Sequence, residues 1–132
     1  MFESLVSSLL SHYEEAAAVI LFGIGFITLL FHKNLIKKII ALNIMDTGVY
    51  LFLASMGFIK GGAAPIVTDP SAPAEASNYI NPLPQGLVLT GIVVSVSVTA
   101  VMLALAVRLH KRYGTLDLDE IYMSAAAERE DR

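Results

Sequence analysis

Apolar residues in this chain fall in long unbroken runs, unlike the short alternations of a soluble domain. A helix needs ~20 consecutive apolar residues to cross a hydrocarbon core of ~30 Å, because each residue rises ~1.5 Å. Three runs meet or approach that length. The first, Ala16 to Phe31, reads AAAVILFGIGFITLLF and is slightly short, so it must draw on the segment before it or thin the bilayer around it. The second extends from about Ile39 to Ile59, and the third, LVLTGIVVSVSVTAVMLALAV, from Leu87 to Val107. Both are long enough to span with some tilt. Backbone groups inside lipid must be bonded within each span. The pattern therefore predicts an all-α integral membrane protein with three transmembrane helices, forming a single membrane domain over 1–132.

The segments between the runs set the orientation. Phe2, Leu5, Val6, Leu9 and Leu10 share one helical face, so the segment 1–15 is amphipathic and forms either an interfacial helix or the outer turns of a tilted first span. It lacks the basic start and small-residue cleavage site of a cleaved signal peptide. The stretch 60–86 is rich in Pro, Gly, Ala and Ser and must be a loop at a water interface or against protein. Basic clusters HKNLIKK (His32 to Lys38) and RLHKR (Arg108 to Arg112) follow spans one and three, whereas the 60–86 loop has only Lys60 against Asp69 and Glu75. Three spans put both clusters on one side. The positive-inside rule then places the N-terminus outside and the C-terminus in the cytoplasm, with the tail 108–132 polar and partly helical.

Composition agrees with a membrane protein and narrows the chemistry. Of 132 residues, 55% are hydrophobic and 16% charged, too few polar residues to cover a small soluble domain. The net charge of −3 is small and the basic residues sit beside the spans, which argues against nucleic-acid binding. Without cysteine this chain has no disulfide, thiolate metal site or Cys-held iron–sulfur cluster. His12, His32 and His110 lie far apart, without metal-ligand spacing. No nucleophile–base arrangement or phosphate loop is present. The expectation is a chain with no catalytic residues, metal or cofactor of its own, in which any redox chemistry belongs to a partner.

One residue conflicts with its surroundings. Within NIMDTGVYLFLASMGF, Asn43, Asp46, Thr47 and Tyr50 follow i, i+3, i+4, i+7, so a helix gathers them into one polar stripe. An ionised Asp near the bilayer centre costs roughly 2.5 to 3.5 kcal/mol on insertion scales, so it must pair, neutralise or border water. Two readings stand: Asp46 is a station in a proton or cation path, or an anchor bonded to a neighbouring subunit's helix. On span three, Gly91, Ser95 and Thr99 recur every four residues, a small-residue face that lets another helix approach closely. Ser95 and Ser97 could line a hydrated passage. Hydroxyls in membrane helices commonly bond their own i−4 carbonyl, and that is the expectation for both.

The ordered set HKNLIKKIIALNIMDTGVYLFLASMGF, GGAAPI and NPLPQGLVLTGIVVSVSVTAVMLALAVRLHKR resembles the small C-type subunits of Mrp-type multisubunit Na+/H+ antiporters. Those are themselves similar to the K-type subunit (chain 4L) of respiratory complex I and to the equivalent member of membrane-bound hydrogenase-type complexes. The likeness covers about residues 30 to 112. Its most specific part is Asn81, Pro82, Leu83, Pro84 and Gln85, where the family usually has Asp or Asn before the first Pro. The resemblance implies a small, non-catalytic three-helix subunit of the cell membrane, packed between larger ion-translocating subunits and the lipid bilayer. Its candidates for the ion path are Asp46, Asn43, Tyr50, Thr47 and Ser95. An alternative is the equivalent subunit of a redox-driven complex. In the complex I relatives, glutamates stand in the second and third spans at positions that fall near Asn43 and Ser95. Neither is acidic here, so a two-glutamate relay does not carry over, and Asp46, one turn further along, is the carboxylate left.

Overall fold

The computed structural model describes residues 1–71 and 75–132. Five α-helices follow in order: α1 (Phe2–Ser11), α2 (Tyr13–Phe31), α3 (Leu35–Met56), α4 (Leu83–Tyr113) and α5 (Leu118–Glu130), with a short 3₁₀ turn at Ala76–Asn78. Three of them, α2, α3 and α4, are long and apolar enough to cross a membrane.

Local chemistry sets where each helix starts and stops. His12 has φ −122° and ψ 42°, outside helical values, so a break separates α1 from α2. Glu14 and Glu15 sit in the first turn of α2, where carboxylates suit the positive end of the macrodipole, and the span begins ahead of Ala16. Asn34 caps α3, its Oδ1 accepting from the N–H of Ile36 at 2.9 Å and of Lys37 at 3.4 Å, which starts that helix ahead of Ile39. Ahead of α4, Asn81 precedes the Pro82 N-cap and accepts from the Leu83 N–H at 3.1 Å, while Pro82 and Pro84 occupy positions that lose no helical bond. The Asn81 to Gln85 motif is thus a helix-starting device. The far end of α4 closes at Gly114, in the left-handed region at φ 70°. At 31 residues, α4 is about 46 Å long and overshoots a ~30 Å core by several turns.

Two seams of different character hold the spans together. The α2–α3 seam is built from small residues: Ala18, Gly25, Ala41 and Gly48 are buried. A Cβ at Gly48 would stand 2.9 Å from the Phe22 nitrogen and 3.0 Å from the Ala18 carbonyl oxygen; one at Gly25 would stand 2.9 Å from the Ala41 carbonyl oxygen. Backbones this close gain dispersion contacts that larger side chains would prevent. The α3–α4 seam uses one narrow stripe of α4, which includes Val88, Gly91, Ser95, Thr99 and Ala106, while Val93, Val96 and Val101 on other faces are exposed. The buried hydrophobic residues are Ala18, Ile39, Ala41, Ala106 and Ile121 among those described. Such a small interior leaves most of the apolar surface for lipid or protein.

Both ends of the bundle are tied. At the basic end the α2–α3 turn pairs antiparallel with the start of the tail, through Leu35 N–H to Leu116 O and Leu118 N–H to Lys33 O, each 3.0 Å. Lys33 pairs with Asp119, and Arg112 donates to Glu128 at 2.7 Å. The hydrogen bond from Lys33 to Asp119, and then the charge of that carboxylate, raise the Lys33 ammonium above the ordinary lysine range. At the loop end, Asn81 N–H donates to Gly57 O at 3.0 Å, and Ala63 bonds to Asn78 and Ile80.

The glycine seam makes a sharp expectation. Gly48→Ala should destabilise the chain by about 1 to 3 kcal/mol, because the added methyl meets backbone that cannot move aside. Gly23→Ala meets nothing within 4 Å and should leave stability unchanged or slightly raised. Reversible unfolding in mixed micelles compares the two, and equal effects would contradict the seam.

Candidate functional site

The polar stripe of α3 and the small-residue face of α4 meet as a ladder of three hydrogen bonds. Thr99 donates to Asn43 Oδ1 at 2.9 Å, Ser95 donates to Asp46 Oδ2 at 2.9 Å, and the Tyr50 hydroxyl donates to the Gly91 carbonyl at 2.7 Å. Numbers rise on one helix as they fall on the other, as antiparallel helices require. All three rungs are partly buried. Gly91 is where the lowest rung needs room, since a Cβ there would stand 2.7 Å from the Tyr50 ring.

Ser95 departs from expectation. Its own i−4 carbonyl is that of Gly91, which already receives the helical N–H and, in addition, the Tyr50 hydroxyl. With both lone pairs engaged, the Ser95 hydroxyl turns outward to the Asp46 side chain. Ser97, with no such competitor, bonds Val93 O at 2.9 Å as expected. Thr47 also returns to its own helix, at Asn43 O and 2.9 Å, and is exposed. Of the five ion-path candidates the structure therefore brings together Asn43, Asp46, Tyr50 and Ser95, and leaves Thr47 on the flank. Gly91 and Thr99, expected to receive another helix, receive α3 of the same chain.

The Asn81 to Gln85 motif lies elsewhere, at the loop end of α4. Pro84 abuts Gly57, where a Cβ would stand 3.1 Å from the proline Cγ. The pairing of the two faces was the part that sequence reasoning missed. Its signal was the matching run of steps, Asn43, Asp46, Tyr50 against Thr99, Ser95, Gly91.

Chemically the ladder offers one carboxylate, one amide and three hydroxyls near the middle of a span, since Asp46 is midway between Leu35 and Met56. Among the described residues no group of His, Asp and Glu is placed to hold a metal ion. The arrangement can exchange hydrogen bonds along the seam and present a single titratable carboxyl group.

The Tyr50 rung controls the one above it. Tyr50→Phe should cost roughly 0.6 to 1.7 kcal/mol, the range for hydrogen bonds between membrane helices. In that background Ser95→Ala should cost less than in the parent, because Ser95 can turn back to the freed Gly91 carbonyl. A double-mutant cycle in mixed micelles measures this, and additivity within about 0.3 kcal/mol would contradict it.

The family profile described as NADH-ubiquinone/plastoquinone oxidoreductase chain 4L matches residues 14–124. The chain is 37% identical over 110 residues to the C-type subunit of the Na(+)/H(+) antiporter of Bacillus subtilis (strain 168), covering 81% of this chain and 93% of that protein. It is 38% identical over 108 residues to the corresponding Na(+)/H(+) antiporter subunit of Alkalihalophilus pseudofirmus, covering 82% and 91%. A chain of the membrane-bound sulfane sulfur reductase, an archaeal respiratory membrane complex, is similar in fold with a TM-score of 0.73 and 44% identity, over 81% of this chain and 94% of that one. A chain of the Mrp complex from Dietzia sp. DQ12-45-1b gives 0.59 and 29%, over 70% and 69%. With three apolar spans and this likeness along most of its length, the chain belongs to the NADH-ubiquinone/plastoquinone oxidoreductase chain 4L family of membrane subunits, together with the C-type subunits of Na+/H+ antiporters.

Proposed function

We propose that this chain is a small, non-catalytic subunit of an Mrp-type cation/proton antiporter module, packed between larger membrane subunits. The observation that carries the reading is the 37% identity to a C-type antiporter subunit across 93% of that protein's length. The sparse interior supports it: Val93, Val96, Val101 and Leu105 of α4 are exposed, and a bundle with so little core of its own gains from protein neighbours as well as lipid. In this reading the His32 to Lys38 and Arg108 to Arg112 clusters face the cytoplasm, the N-terminus is outside, and Asp46 with its ladder is a station in the ion path. The 44% identity to a chain of an archaeal respiratory membrane complex favours a second setting, in which the same module is built into a redox-driven pump.

Affinity purification through a C-terminal tag in mild detergent, with mass spectrometry of every co-purifying chain, separates these settings. Large antiporter-like subunits alone are expected for a freestanding antiporter; added iron–sulfur subunits indicate the redox-driven one. Asp46→Asn should then assemble normally and lower cation-driven proton flux in vesicles by about a hundredfold, the low end of what loss of a positioned proton-transfer group costs. Unchanged flux with normal assembly would remove Asp46 from the path.

A further inference from the structure

Helices α2 and α4 each pack along α3 but not along one another. A wedge is left between them, with α3 as its floor. At the basic end of the bundle this wedge holds a cavity of about 310 Å³, bounded by Leu29 of α2, Leu35 and Leu42 of α3, and Met102, Leu105 and Leu109 of α4. The slot follows α3 inward from its first residue for about 10 Å, at ~1.5 Å per residue. Its lining is apolar with one exception, Lys38.

Lys38 stands near the start of α3, partly buried, and its ammonium donates to the Leu29 carbonyl in the last turn of α2 at 2.8 Å. That bond satisfies a carbonyl left open at a helix end and uses one of three N–H donors. The tail's Asp119 and Glu128 take Lys33 and Arg112. Among the described residues, no carboxylate pairs with Lys38, nor with Lys37, Arg108 or Lys111. Arg108 and Lys111 are exposed on the turn of α4 that carries Leu109. The mouth of an apolar slot is therefore ringed by positive charge that the chain itself leaves unmatched.

Size and charge select the occupant. Spread along ~10 Å, about 310 Å³ gives a mean cross-section of about 30 Å², whereas a helix ~10 Å across needs ~80 Å². A neighbouring helix is too wide for the slot, and an extended hydrocarbon chain, which carries no side groups, is not. We propose that the wedge seats one acyl chain of a phospholipid with a net negative headgroup, whose phosphate meets the remaining N–H donors of Lys38. The apolar walls lead inward from Leu35 and Leu109 to Leu42 and Met102, with the ammonium toward the outer end, which is the order of tail and headgroup in a bilayer leaflet. A phosphate oxygen forms charge-assisted bonds with an ammonium, and basic pockets between membrane helices take anionic headgroups on the same grounds. A zwitterionic lipid fills the slot but leaves the charge of Lys37, Arg108 and Lys111 unmet. The inference needs only the three spans and holds in either the antiporter or the redox-driven setting.

The test uses the protein purified with its partners from membranes and reconstituted into phosphatidylcholine vesicles. A trace of phosphatidylglycerol or phosphatidylcholine with a photoactivatable acyl chain is added, and the labelled residues are mapped by mass spectrometry. Met102 and Leu105 should be labelled about fivefold more by phosphatidylglycerol, the factor that one basic residue near an anionic surface contributes. Val101, exposed outside the slot, should show no such preference. Lys38→Gln should remove the preference and Lys38→Arg should keep it, while Leu105→Trp, which fills the slot from an exposed position, should lower the labelling of Met102 by both lipids. The preference is read in the parent protein, so the test stands even where Lys38→Gln fails to assemble. Labelling of Met102 and Leu105 no stronger than that of Val101, or equal labelling by the two lipids, would overturn the inference.

Discussion

Inside a bilayer core there is no water to bond a polar side chain, so every polar group placed there must find its partner in protein. The α3–α4 seam follows from that constraint. Asp46 cannot be left to lipid, and its Oδ2 is met by Ser95. Ser95 is free to do so because Tyr50 occupies the carbonyl it would otherwise bond. Gly91 leaves room for the Tyr50 ring, which an added Cβ would approach to 2.7 Å. Asn43 and Thr99 extend the same logic one turn along. Each rung is modest in energy, but together they set the register of α4 on α3 and the direction in which the carboxylate faces.

The other seam shows how little of this depends on a conventional core. Hydrophobicity does not drive helices together within lipid, because tails are as apolar as the side chains. Between α2 and α3 the attraction comes from close backbone approach at Gly25 and Gly48. At the basic end, the caps of α3 and α5 pair with each other, Asn34 opposite Asp117, Lys33 of the turn pairs with Asp119 of the tail, and Arg112 of α4 pairs with Glu128. At the loop end, the Asn81 motif starts α4 against Gly57. The bundle is thus fastened at both rims and along two thin seams, with its remaining faces apolar and open.

Much of this was legible in the residues. The three spans follow from run length alone, but α4 begins at Leu83, inside the stretch read as loop, and the helix-starting chemistry of Asn81, Pro82 and Pro84 went unread. Ser97 behaves as an isolated hydroxyl in a membrane helix should. What the sequence concealed was tertiary. The His12 break is a single ψ value that no residue preference demands. Ser95 could be read correctly only with knowledge that Tyr50 takes its i−4 carbonyl, a contact from another helix. The tail's attachment to the Lys33 turn likewise joins segments far apart in the chain, and charge alone gave no pairing. The polar stripe and the small-residue face were each visible, but their union depends on which helices are neighbours, and spacing within one helix does not encode that.

The central claim is that the Asp46 side chain is held by Ser95 in the seam between α3 and α4. Isotope-edited infrared spectroscopy of the assembled complex in lipid tests it most directly, with the Asp46 signal identified by its loss in Asp46→Asn. The expected result is an Asp46 band that shifts in Ser95→Ala and, in the same sense but less, in Tyr50→Phe. An Asp46 band that ignores Ser95 would contradict it.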